Sequence, residues 1–139
     1  MMPRPVSQPL TLFGVAQRGM SAQLVRMNAA SSNLANAGSV STTEAGTYRP
    51  IRPVFTEQFD AASGLSTVNV SAVVRSSAAP VKEHNPNHPL ADANGDIFTA
   101  PVDENAEMVE MLDASRQYQN LVEALSTAKQ LMLDTLRMK

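Results

Sequence analysis

The chain has 139 residues and a mass of 14.9 kDa, the size of one ordinary domain, and it carries a net charge of −2. That charge, with 43% hydrophobic and 17% charged residues, gives no general pull toward nucleic acid or an anionic membrane. Cysteine is absent, which excludes a disulfide framework, a thiolate metal site and a cysteine nucleophile, and 4% aromatic residues with no Trp argue against a thick aromatic core.

Residues 1–9 hold three of the nine prolines and predict an extended arm, because proline fixes its own backbone and turns its predecessor away from helix. The same prolines break the apolar run that a secretory signal needs, and no later stretch is long enough to span a bilayer. The expectation is a chain without direct membrane insertion, exported, if at all, without a cleaved signal peptide. From Leu10 to Asn36 the pattern is helical. Phe13, Met20, Met27 and Leu34 repeat every seven residues, and Ala16, Leu24 and Ala30 widen the stripe. Such a helix is about 40 Å long. Its many small residues, among them Gly19, Ala22, Ala29 and Ala30, suit close approach of a neighbouring backbone.

Asn36-Ala37-Gly38-Ser39 reads as a helix stop, followed by a polar loop through Gly46. Tyr48 to Phe59, around Pro50 and Pro53, reads as an extended or edge segment with gaps in its ladder. Thr67 to Arg75 is the clearest strand, with Val68, Val70, Ala72 and Val74 alternating onto one face. Residues 79–101 contain four prolines and predict a loop, with a turn at Ala93-Asn94-Gly95-Asp96 and an extended return through Ile97, Phe98 and Thr99.

Asp103 can cap a second helix from Glu104 to about Met138. Here the seven-residue series is Met111, Tyr118, Leu125 and Met132. Met108, Val122 and Leu136 flank it on one side, and Ala114, Leu121 and Ala128 on the other. That apolar face is broader than one partner helix can cover. Two heptad stripes at opposite ends of the chain predict a mainly α fold, an antiparallel coiled coil of the two helices with a small irregular β or extended middle. The expected organisation is an arm at 1–9, a discontinuous helical domain from 10–36 plus 103–139, and a middle domain at 37–102. Charge supports the orientation. Residues 1–43 contain three arginines and no acid, whereas the second helix starts with Asp103, Glu104, Glu107, Glu110 and Asp113, bringing acid toward Arg26 when the chain doubles back.

Chemistry is sparse. His84 and His88 lie in a proline-interrupted loop without the one-turn helical spacing of a metal pair. Asp92, Asn94, Gly95 and Asp96 resemble a fragment of a calcium loop, but Leu90 stands where an oxygen ligand is needed, so an Asx-Gly turn is the better reading. No phosphate-cradling loop or Ser-His-acid signature is present, so no enzyme, no metal and no cofactor is expected.

The segments Gly19-Met20-Ser21-Ala22-Gln23, Arg26-Met27-Asn28 and Ser32-Asn33-Leu34-Ala35-Asn36-Ala37 resemble the N-terminal signature of flagellar axial proteins of the rod and hook. Glu107-Met108-Val109-Glu110-Met111, Ala114 to Asn120 and Ala128 to Met132 are similar to the closing helix of that family. The short middle, Val70 to Val74, and the loop Asn85-Pro86-Asn87-His88-Pro89 with Ala91-Asp92 point within it to a proximal-rod subunit. The resemblance implies a structural subunit of a hollow periplasmic rod in the flagellar basal body, exported through the flagellar type III apparatus. Implied partners are copies of itself, other rod proteins of the FlgB, FlgF and FlgG type, and the rod–MS-ring junction, with no nucleic acid. The assembly and coiled-coil interface is then expected at Phe13, Met20, Leu24, Met27, Leu34, Met108, Met111, Tyr118, Leu121, Val122, Leu125, Met132 and Leu136. The N-terminal motif is Ser32, Asn33, Leu34, Ala35 and Asn36. Another proximal-rod axial protein, or a soluble coiled-coil adaptor or secretion chaperone, is the alternative.

Overall fold

The computed structural model describes residues 11–138, so the arm expected at 1–9 lies outside the described residues. Thr11 starts the first helix, α1 (Leu12–Ala35), by accepting a hydrogen bond from the Gly14 N–H at 3.1 Å. Asn36 closes it, and Gly38 follows at φ 73°, a left-handed conformation that glycine adopts without a Cβ clash. Asp103 caps the last helix, α2 (Glu104–Arg137), accepting from the Ala106 N–H at 3.1 Å, and Glu104 and Glu107 add favourable charge to its first turn. The two helices flank a β-containing middle, so the chain is mainly α in outline.

Five strands lie between the helices: β1 (Val40–Ser41), β2 (Ile51–Asp60), β3 (Leu65–Arg75), β4 (Val81–His84) and β5 (Asp96–Thr99). β2 and β3 form an antiparallel hairpin, and β1, β5 and β4 form a small sheet in that order. Two expectations need correction. Every residue of β2 finds a partner on β3, Pro53 included, so the proline does not gap the ladder. It is tolerated because a two-stranded ribbon has only edges, where a missing N–H is harmless. Residues 81–84, expected as loop, form β4 against β5, which supplies partners that no local pattern announces.

The alternation expected on β3 also fails. Thr67 is buried, Val68 and Val70 are half-buried, and Ala72 and Val74 are exposed. A register shift opposite Val54 and Phe55 leaves Ser71 out of step, which breaks a period of two.

The helices lie side by side in opposite directions. Arg26 reaches Glu110 and Asp113, a Cβ on Gly19 would sit 3.2 Å from Leu121, and Asn33 bonds Glu107. Small side chains form the innermost layer: Ala22, Ala29, Ala30 and Ala114 are buried, as are Ile97 on β5 and Ala100 just after it. Their size lets the two backbones approach and exchange many weak dispersion contacts. The hairpin rests against α1, with the Arg18 guanidinium donating to Gln58 at 3.0 Å.

Candidate assembly interface

At the end of the molecule where the chain leaves α1 and enters α2, three elements meet on one asparagine. Asn33 is fully buried; its Oδ1 accepts from the Ile51 N–H and the Tyr48 hydroxyl, both at 2.8 Å. Its Nδ2 donates to the Ile51 carbonyl at 3.0 Å and to Glu107 Oε2 at 3.1 Å. Arg52 completes the cluster, donating from Nη1 to Glu107 Oε2 at 2.8 Å and from Nη2 to Oε1. Ser32 and Asn36 brace the same turn, through the Tyr48 hydroxyl at 3.2 Å and the Ser32 carbonyl at 2.8 Å.

Asn33 thus uses all the bonding capacity of its oxygen on β2 and the segment leading into it, and its amide group bridges β2 and α2. Burial pushes the Glu107 carboxyl up, but hydrogen bonds from Arg52 and then Asn33 outweigh it and hold the group below its ordinary value. Leaving Glu107 charged and buried is acceptable only because both oxygens are bonded. Farther along the seam, Arg26 donates to Glu110 at 2.7 Å and to Asp113 at 2.9 Å. The Glu110 bond raises the Arg26 guanidinium, burial opposes it, and Asp113 raises it further.

The thirteen expected interface residues fall into two sets. Met20, Met27, Leu34, Met111, Tyr118, Leu121 and Leu125 are half-buried along the helix pair. Phe13, Leu24, Met108, Val122, Met132 and Leu136 are exposed, together with Val109, Leu112 and Leu131, which the heptad reading passed over. In the motif, Asn33 is buried, Ser32, Leu34 and Asn36 are half-buried, and Ala35 is exposed. Arg52 was missed in the sequence. It stands in a segment with no helical period, and its partner is 55 residues away. The one signal in the sequence is the acid at Glu107, which reads there as one charge among five.

The loop chemistry has positive assignments. His84 Nδ1 meets Asp96 at 3.0 Å and Lys82 meets it at 2.8 Å; the Lys82 bond and then the His84 bond hold Asp96 below the usual carboxylate range. Asp92 accepts from the Asn94 and Asp96 N–H groups at 2.8 and 2.9 Å, the Asx turn read from the sequence. Among the described residues no group of three metal-ligating side chains converges, and no helix is long and apolar enough to cross a membrane.

A helix pair with apolar surface left over, clasped to a β middle, agrees with the comparisons. Residues 13–40 match the family model described as flagella basal body rod protein, and residues 99–138 match the flagellar basal body rod FlgEFG protein C-terminal model. Both ends therefore carry the marks of flagellar rod proteins. The curated relatives narrow the class. The flagellar basal-body rod protein FlgC of Salmonella typhimurium is 44% identical over 129 residues, covering 91% of this chain and 95% of the relative. The FlgC proteins of Escherichia coli and Yersinia enterocolitica are 43% and 41% identical over the same coverage. The chain belongs to the FlgC family of flagellar basal-body rod proteins, whose role is structural rather than enzymatic.

Proposed function

We propose that this chain is a subunit of the proximal rod, joining its neighbours through the outward apolar faces of its two helices to build the hollow shaft that transmits torque and conducts exported subunits. The observation that carries this reading is the surplus apolar surface. Leu112, Val109 and Met108 near the start of α2, and Leu131, Met132 and Leu136 near its end, are all exposed. Repeated heterologous contacts that do not close build a helical assembly, and exposed apolar patches supply them.

In this reading the helix pair is an antiparallel coiled coil, formed by residues 10–36 and 103–139 and lining the tube, while residues 37–102 lie outside it. The opposite direction of the helices and the half-buried heptad residues Met20, Met27, Tyr118 and Leu125 support that division. Its partners are other copies, rod proteins of the FlgB, FlgF and FlgG type and the rod–MS-ring junction, reached in the periplasm after passage through the flagellar type III apparatus. The test is deletion in a flagellated host, complemented with wild type or Leu125→Asp, followed by imaging of purified basal bodies. Rods that stop short and are rescued only by wild type are expected; complete rods in the deletion strain would favour a soluble adaptor instead.

A further inference from the structure

α1 is the middle layer of the molecule. It packs against α2 on one side and against the β2–β3 hairpin on the other, and among the described residues those two do not pack against each other. The Asn33–Glu107 and Gly19–Leu121 contacts fix the register of the helices and place Arg18 level with Val122. Arg52 reaches Glu107 at one end of the hairpin, and Gln58 meets Arg18 toward the other. The strand steps from Arg52 to Gln58 span about 20 Å and the helical steps from Glu107 to Val122 about 22 Å, so β2 runs alongside α2 in the same direction.

The two outward faces carry the same order of chemistry at matching heights. Glu107, Ala114 and Leu121 point to the seam, so Val109, Leu112 and Arg116 lie on the far side of α2, about 3, 7 and 14 Å along from Glu107. Gln58 turns toward α1, so Phe55 and Glu57, at odd steps from it, face away, as does Val73 opposite Pro53. Val73, Phe55 and Glu57 stand about 3, 10 and 17 Å along from Arg52. Val109 and Leu112 are 67% and 59% exposed, and Val73 and Phe55 are 50% and 36% exposed. Arg116 and Glu57 are exposed, and neither has an ion-pair partner among the described residues.

We propose that the outward face of α2 packs on the outward face of the hairpin in a second copy standing beside it at equal height, with Val109 against Val73, Leu112 against Phe55 and Arg116 paired with Glu57. The proposal rests on the reading of the chain as a rod subunit and names what that face of α2 meets. Charge selects the orientation, because the reversed arrangement would press Arg116 onto Val73 and set Val109 against Glu57. The two faces lie on opposite sides of one subunit, so each copy offers one and accepts the other, a heterologous contact that repeats. With almost no step along the helices, it builds a ring or a shallow turn rather than a stack.

The chain has no cysteine, so an engineered pair reports cleanly. Full-length Val109→Cys with Val73→Cys is expressed in the deletion host and its purified basal bodies are mildly oxidised; in the control Leu136→Cys, about 40 Å along α2, replaces Val109→Cys. Within one chain α1 separates the two positions, and a disulfide needs Cα atoms within about 7 Å, so the bond forms only between copies. A ladder of linked multiples of the chain, about tenfold stronger than in the control, is expected. Single-length chain alone, or equal ladders, would overturn the proposal. Where the cysteine pair prevents assembly, charge reversal decides: Arg116→Glu and Glu57→Arg should each give several-fold fewer complete rods, and the two together should restore them. A double variant no better than either single one, as expected if a different rod protein covers the face, or single variants that match wild type, would also overturn it. Rescue by wild type in the same host keeps the rod reading standing through such a failure, whereas complete rods without any copy of the chain would overturn that reading itself.

Discussion

Glu107 and Arg52 form an unequal pair. The carboxylate side chain is 2% exposed and the guanidinium 48%, so removing one partner does not have the same effect as removing the other. Arg52→Ala leaves a buried charge without its main counterion and should cost about 3 kcal/mol, whereas Glu107→Gln lets Arg52 turn to water and should cost about 1–2 kcal/mol. The pH dependence separates them further. Because the folded protein holds Glu107 below its ordinary value, its contribution is present above that value and is lost as pH falls through the folded one. In Arg52→Ala burial dominates, the folded value rises, and the loss of stability should shrink as pH falls toward it. Denaturant unfolding of the three proteins between about pH 3 and 7 checks both signs.

Thr67 is the opposite case. Its hydroxyl is buried on β3 and has no hydrogen-bond partner among the described residues. Thr67→Val replaces it with a methyl group of like shape and is expected to stabilise the protein by about 1 kcal/mol in the same assay, since the desolvation penalty disappears and no bond is lost. Destabilisation would mean that the hydroxyl has a role in the folded chain.

The helix seam is set by what is missing from it. Ala30 and Ala114 have no exposed surface, so a larger side chain at either has nowhere to go. Ala30→Leu is expected to lower stability by about 1–3 kcal/mol. Gly19→Ala should fall near zero, because a gain in helix propensity of about 1 kcal/mol offsets a contact that the mobile Leu121 side chain can relieve. Thermal melts of the two variants rank them. If Gly19→Ala proves the more damaging, the helices approach more rigidly at that crossing than at Ala30.

The same elements divide into what the sequence made legible and what it did not. Both helices could be read because a period near 3.6, a cap at Asp103 and a stop at Asn36 are all local signals. The Ser32 to Asn36 motif could be noticed, but not why Asn33 belongs in it, since its partners Tyr48 and Ile51 lie on a segment that looked like a weak edge. β4 was missed because all four of its residues are exposed and no alternation of burial exists to be read. The shift at Ser71 was hidden for a similar reason: a single extra residue leaves the valine pattern intact on paper while changing which side faces α1.

For the whole molecule, the question is which apolar residues serve the subunit and which serve its neighbours. Leu112 is 59% exposed on the side of α2 turned away from the seam, so Leu112→Asp should change the unfolding free energy by no more than about 0.5 kcal/mol. In basal bodies the same variant should leave rods incomplete. Leu125→Asp, half-buried in the seam, should lower stability as well. A Leu112→Asp chain that builds complete rods would move the contact surface elsewhere on the helices.

The distance along the chain between paired groups also sets a time order. Asn33 must find Glu107 across 74 residues, and Arg26 must find Asp113 across 87. The hairpin can pack against α1 early, but the larger share of α1's contacts is with the last helix, and closing loops of that length slows folding. During synthesis the seam face of the first helix therefore waits, while the hairpin on its other side can already form from neighbours in sequence. The seam between α1 and α2 therefore closes last, after every strand of the middle has been made.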